Sequence, residues 1–217
     1  DYAAFVQDAP GPTFRDELYP AYKATRQATP DDLVAQVEPM LAIVAALGFP
    51  ILRVSGVEAD DVIGTLAKRA AAEGIDVTVS TGDKDFAQLV ATGITLVNTM
   101  TNTTLDAAGI VEKFGVRPEQ IVDYLALMGD SVDNIPGVEK CGPKTAAKWL
   151  AEYGTLDGVI AHAADVGGKI GENLRKALPQ LPLSRQLATI KTDVPLDLGP
   201  RELPLRERDV ETLRGLY

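Results

Sequence analysis

Four short apolar runs, separated by stretches of helical period, constrain this chain more than any other feature. Tyr2 to Val6 (YAAFV), Ile51 to Val54, Val77 to Ser80 (VTVS) and Ile94 to Asn98 each have the length and bounding residues of a buried strand. Between them a helix is expected from Asp31 or Asp32 to about Leu47. Leu33, Val37, Met40, Leu41, Val44 and Leu47 form its apolar stripe, and Gly48 closes it. A second helix begins inside VEADD and turns Val62, Ile63, Leu66, Ala67 and Ala70 inward, and a third starts over Phe86 to Val90. Strands alternating with helices predict an α/β fold, a mostly parallel sheet with helices on both faces. From Asp106 the period is helical, over Ala107 to Phe114, Pro118 to Met128 and shorter segments broken by Gly167–Gly168 and Pro179. The expected division is therefore an α/β core over 1–105 and a helical region over 106–217.

In parallel sheets, ligands gather at loops that follow the carboxyl ends of strands. The acids of this chain stand at such places. Asp8 follows the first run, SGVEADD (Ser55 to Asp61) the second and TGDKD (Thr81 to Asp85) the third; MGDSVDN (Met128 to Asn134) ends a helix. Each acid alone could be a cap or turn residue. Glu58 and Asp61, three apart, share a face in a first helical turn, where negative charge suits the helix dipole. A cap explains one acid and leaves the rest. Together, Asp8, Glu58, Asp60, Asp61, Asp83, Asp85, Asp130 and Asp133 would repel one another unless cations sat between them. Carboxylate oxygens with no Cys or His beside them suit Mg²⁺ or Mn²⁺, and two or more ions are expected.

Composition bears on the partners. The net charge is −10, the wrong sign for a protein that coats nucleic acid nonspecifically. Basic residues nevertheless gather over Arg15 to Arg26 and over Lys140 to Lys148. In the first, Arg15, Lys23 and Arg26 alternate with Phe14, Tyr19 and Tyr22, a mixture suited to phosphates and stacked bases. Cys141 is the single cysteine, which excludes a disulfide framework, and no apolar run approaches the length of a membrane span. His162 lies outside every motif and reads as structural.

GVEADD, STGDKD, ALMGDSVDNIPGV and GPKTAAKWL, in that order, resemble the 5′-nuclease family. That family includes the 5′→3′ exonuclease domain of bacterial DNA polymerase I, its stand-alone paralogues and the flap endonucleases. The likeness runs from about Asp1 to Pro195. It implies a PIN-like core, with an arch at about 13–32 and the family's N-terminal strand absent, followed by a helix–hairpin–helix at about 135–153. It implies that the eight acids hold metal and that Lys23 and Arg26, from YKxxR, grip the scissile phosphate. Arg15 and Tyr22 would join them on the single strand, and Gly137, Gly142, Lys144, Thr145 and Lys148 would hold duplex DNA. The implied activity is divalent-metal-dependent hydrolysis of flapped, nicked or 5′-ended DNA in replication and repair. A cytoplasmic monomer is expected, without membrane association and with a polymerase in cis or in trans. The alternatives are a DNA-structure-binding module with impaired catalysis and a related small α/β ribonuclease. The family also implies K⁺ at the hairpin, where this chain has Lys140 in place of a glycine; a left-handed backbone there would cost lysine about 1 kcal/mol.

Overall fold

The strand pattern condenses into two small sheets. In the computed structural model, which describes residues 1–216, β1 (Phe5–Val6) pairs in parallel with β2 (Ile51–Leu52), and β3 (Val77–Ser80) in parallel with β4 (Ile94–Asn98). A fifth strand, β5 (Thr103–Leu105), runs antiparallel to β4 and sets Leu105 opposite Leu96. The polar run TMTNTT gives no apolar alternation to mark it, but its threonines suit a half-exposed edge. β1 is shorter than YAAFV because its first residues pair elsewhere: Ala3 N–H donates to Leu203 O at 2.9 Å, and Tyr2 bridges Pro204. β1 and β3 do not pair, and a cavity of about 620 Å³ lined by both separates the sheets.

A short α1 (Phe14–Leu18) opens on a Thr13–Asp16 capping box. Next comes α2 (Asp31–Ala46), preceded by Pro30 rather than capped by an aspartate side chain. Its expected apolar stripe is only partly used: Leu41 is buried and Val37, Val44 and Leu47 are half-buried, whereas Leu33 and Met40 are 53% and 42% exposed. Gly48 ends it at φ +95°, and a Cβ there would lie 2.2 Å from Arg206 O, so glycine is required twice over. α3 (Ala59–Ala72) buries Val62, Leu66, Ala67 and Ala70, with Ile63 half-buried, and packs against β1 and β3. A 3₁₀ helix over Lys84–Leu89 stands where an α-helix is expected.

The remaining helices are α4 (Ala107–Phe114), α5 (Ile121–Met128), α6 (Pro143–Tyr153), α7 (Leu156–Ala161), α8 (Gly168–Ala177), α9 (Leu181–Ala188) and α10 (Val210–Leu216). One core joins the two halves: it runs from Ala67, Val79, Phe86 and Leu96 through Leu125 and Leu127 of α5 to Trp149, Leu156, Leu174 and Leu181. Among the described residues no helix is long and apolar enough to cross a membrane.

Candidate active site

The acids collect beside α3. Asp8, two residues beyond β1, accepts Ala59 N–H at 2.7 Å through Oδ1 and so tethers the start of α3. Glu58 is the N-cap of α3 and is 8% exposed. β3 delivers Asp83, whose Oδ1 accepts Asp85 N–H at 2.9 Å and starts the 3₁₀ helix. Asp130 follows α5, and its Oδ1 accepts Val132 N–H at 2.7 Å and Asp133 N–H at 3.2 Å. A backbone bridge between Asp130 and Ile135 closes that turn, and Asn134 completes it at φ +56°.

Burial first, and repulsion from neighbouring acids second, raise the pKa of two members. Asp60 is pushed up to about 7 by burial and then by the charges of Asp83, Glu58 and Asp8, and it forms no salt bridge. Asp85 rises to about 6, by burial and by Asp83 and Asp130, although Lys84 opposes the shift. Its Oδ1 is buried without a hydrogen-bond partner; Lys84 Nζ stands 3.3 Å away, close enough for charge but not aligned for a bond. A buried carboxylate oxygen left in this state among like charges is the chemistry a hard cation relieves, so the donor set fits a divalent ion.

Protein cations hold several of these acids apart. Lys23 Nζ pairs closely with Glu58 and lies 4.0 Å from Asp133, whose Oδ1 accepts Arg26 at 2.5 Å. Lys84 bridges Asp130, at 2.5 Å, and Asp85; burial works to raise the Asp130 pKa, but the Lys84 bond and charge together with the N–H groups of Val132 and Asp133 lower it overall. Among the described residues no three acids have closed to the spacing of a finished metal site. Lys84 is the residue that sequence reasoning missed, although TGDKD sets it between two of the acids.

Three assignments need correction. Asp61 is 0% exposed, and protein donors take both its oxygens: Arg15 at 2.7 and 2.9 Å, Lys191 N–H at 2.8 Å and Glu58 N–H at 3.0 Å. It has no face left for a metal and serves to position Glu58. Arg15, 2% exposed, is walled in by Asp61, Glu58 and the carbonyls of Leu187 and Thr189, so it cannot meet DNA. Tyr22 is likewise buried, at 5%, and its hydroxyl donates to Glu58 at 3.1 Å; burial and that negative neighbour raise its pKa. It supports Glu58 and offers no open ring for stacking. Lys23, by contrast, is half-buried at φ +54°, and Arg26 is exposed. Asn134 Nδ2 donates to Ala21 O at 2.7 Å and Lys23 N–H to Asp133 O at 2.9 Å, which pins this basic turn onto the acid loop.

Away from the acids, the segment between α5 and α6 forms the hairpin. Lys144 and Lys148 lie exposed on α6, Thr145 is half-buried, and Gly142 is the uncapped N-cap of the helix. Gly137 has a different use: a Cβ there would lie 2.3 Å from Gly129 N, so it lets the hairpin backbone close on the end of α5. Lys140 adopts φ +65°, the left-handed geometry a glycine would take. His162 donates from Nδ1 to Gly158 O, 2.9 Å away, and stacks on Tyr153.

Comparison with known proteins gives concordant findings. Residues 1–115 match the family model "5′-3′ exonuclease, N-terminal resolvase-like domain", and residues 116–211 match "5′-3′ exonuclease, C-terminal SAM fold". DNA polymerase I of Pseudomonas aeruginosa is 55% identical over 226 aligned positions, which take in 99% of this chain and 24% of that protein. The chain thus spans about a quarter of the length of the curated relatives it matches. Bacteriophage T5 5′-exonuclease with bound zinc superposes with a TM-score of 0.75 at 26% identity, covering 86% of this chain and 73% of that one. A T5 flap endonuclease complex with DNA and metal ions gives 0.74 at 26% identity, over the same shares.

Proposed function

The chain belongs to the 5′-3′ exonuclease family, and on that premise we propose that it is a divalent-metal-dependent 5′-nuclease acting on flapped, nicked or 5′-ended DNA. One observation carries the reading. Asp60 and Asp85 are half-buried acids raised toward neutrality among Asp8, Glu58, Asp83 and Asp130, beside a turn that presents Lys23 and Arg26. Lys23, Arg26 and Lys84 offset only part of this charge, and bound divalent cations would offset the rest at neutral pH. Asp8, Glu58, Asp60, Asp83, Asp85, Asp130 and Asp133 would hold Mg²⁺ or Mn²⁺, some through water. Bound there, the metal would supply a hydroxide at neutral pH and stabilise charge on the leaving oxygen.

The chain's own residues do the rest. Glu58 is held in place by Asp61, Arg15 and Tyr22, so one ligand is set before any ion arrives. Lys23 and Arg26 pair with Glu58 and Asp133, and with metal held by those acids both cations would be available to the nonbridging oxygens of the scissile phosphate. Lys84 would leave Asp130 in the same way. The hairpin would grip duplex DNA through Lys144 and Lys148 and through amides at the start of α6. A monovalent K⁺ at the hairpin belongs to the same reading, supported by the left-handed backbone at Lys140. So do a cytoplasmic setting, action as a monomer and a polymerase working beside it.

A 5′-labelled flap incubated with Mg²⁺, with Mn²⁺ and with a chelator tests this. Release of the flap only with metal supports it. Retention of flap binding with no cleavage at any metal concentration would leave a DNA-structure-binding module instead.

A further inference from the structure

Three backbone carbonyls of the hairpin are held by side chains from elsewhere in the chain. Asn173, in α8, donates from Nδ2 to Glu139 O at 2.9 Å. Ser184, in α9, donates from Oγ to Pro136 O at 2.6 Å, and Gln180 reaches Gly137 O at 3.3 Å. Asn173 is 2% exposed and Ser184 is 0% exposed, and neither caps a helix or touches an acid of the active site. Asparagine is a poor choice for the middle of a helix, and the Oδ1 of Asn173 is buried with no partner at all. An amide that forgoes its own acceptor to make one bond to a loop carbonyl destabilises its helix and fixes the loop.

The loop needs fixing. Lys140 follows Glu139 directly and sits at φ +65°, a region that disfavours any side chain bearing a Cβ. Locally a single backbone bond, Cys141 N–H to Val138 O at 2.9 Å, closes the turn across Glu139 and Lys140, and the exposed Lys140 side chain adds no salt bridge among the described residues. The external bonds to Pro136, Gly137 and Glu139 fall on the three carbonyls that set the path into this turn. That path decides where α6 begins, and hence where Lys144 and Lys148 point.

We propose that Asn173 and Ser184 are positioning residues for duplex recognition: from α8 and α9 they clamp the hairpin carbonyls and hold the left-handed turn at Lys140 that aims the start of α6 at a DNA backbone. This rests on the reading of the hairpin as the duplex-binding element. The clamp also accounts for a lysine where glycine would be free of strain, since bonds from outside reinforce the turn's own Val138–Cys141 bond.

The test uses the full chain and measures affinity for a blunt DNA duplex and for a single strand, in Ca²⁺. Asn173→Asp keeps the size of the side chain and removes the donor. It should weaken duplex binding about tenfold while single-strand binding stays within about twofold. Adding Lys140→Gly should restore most of that loss, because glycine holds the left-handed turn unaided; Lys140→Gly alone is the reference for the lost charge, and the non-additive part is the signal. Ser184→Ala should show a smaller loss of the same kind, and it serves as the principal variant if Asn173→Asp lowers the melting temperature enough to leave unfolded protein. Equal losses for duplex and single strand, or no rescue by glycine, overturn the proposal. If Lys144→Ala with Lys148→Ala leaves duplex binding unchanged, it is the hairpin reading itself that fails.

Discussion

Removing Asp61 distinguishes a buried buttress from a metal ligand. Asp61→Ala leaves Arg15 inside the protein at 2% exposure, stripped of bonds at 2.7 and 2.9 Å, and leaves Lys191 N–H and Glu58 N–H without their acceptor. Glu58 Oε2, 3.1 Å from Arg15, still compensates part of the charge. Breaking a buried pair by deleting one partner costs about 3–5 kcal/mol. At about 2–4 °C per kcal/mol for a chain of this size, the melting temperature should fall by roughly 6–20 °C. Thermal melts with and without Mg²⁺ read this directly. The loss should be present in both, with the Mg²⁺-induced rise largely kept. Arg15→Met combined with Asp61→Leu should recover much of the stability, since no buried charge is then left unpaired. Parental melting in the Asp61→Ala protein, together with loss of the Mg²⁺ response, would refute the argument and return Asp61 to the metal site. Cleavage rate is no guide here, because Asp61 also fixes Glu58.

Asp85→Asn should abolish cleavage of a labelled flap, leave binding in Ca²⁺ largely intact and not destabilise the metal-free protein, since burial disfavours the Asp85 charge more than Lys84 at 3.3 Å favours it; a drop in metal-free melting temperature would mark Asp85 as structural. Lys23→Ala should lower the single-turnover rate by about 10²-fold, the scale of one transition-state electrostatic contact, with a much smaller change in flap affinity. Equal losses in rate and affinity would reduce Lys23 to a binding residue. The Asp60 carboxyl titrates at about 7 in the fold against 3.8 for the free side chain, so the folded state holds the extra proton between those values. The stability this confers is complete below 3.8 and is lost as pH rises through about 7. Metal-free melting temperature should therefore fall from about pH 5 to about pH 8, and the gain on adding Mg²⁺ should grow over the same range. Asp60→Asn should remove the part of both trends centred near pH 7 and leave the part near pH 6 that belongs to Asp85; trends unchanged in that variant would assign the titration to another group.

Much of the molecule was legible in the chain because the signals are local. Val77–Ser80 and Ile94–Asn98 form the strands that their β-branched runs announce, and Glu58 opens a helix because a capping residue stands before an apolar helical period. Acids placed just past such elements mark the carboxyl ends of parallel strands, so Asp8, Glu58, Asp60, Asp83 and Asp85 could be gathered into one region without coordinates. β5 was not legible, because an edge strand needs little apolar alternation and TMTNTT reads as a turn. The exposure of Leu33 and Met40 was not either, because a helical stripe says which face is apolar and not what covers it.

What each charge faces is decided only by the tertiary structure. In the sequence Asp60 and Asp61 are adjacent acids of the same type. The turn of α3 sends one toward Asp8 and Asp83 and the other into the protein against Arg15, 46 residues away, and the backbone of Lys191, 130 residues away. Arg15 and Lys23 are likewise two cations of one basic stretch, and burial takes the first out of reach of DNA while leaving the second at the site. The pattern along a chain fixes which elements form, through interactions a few residues long. The state of a charged group depends on desolvation and on partners within a few ångströms, and those partners come from any distance along the chain.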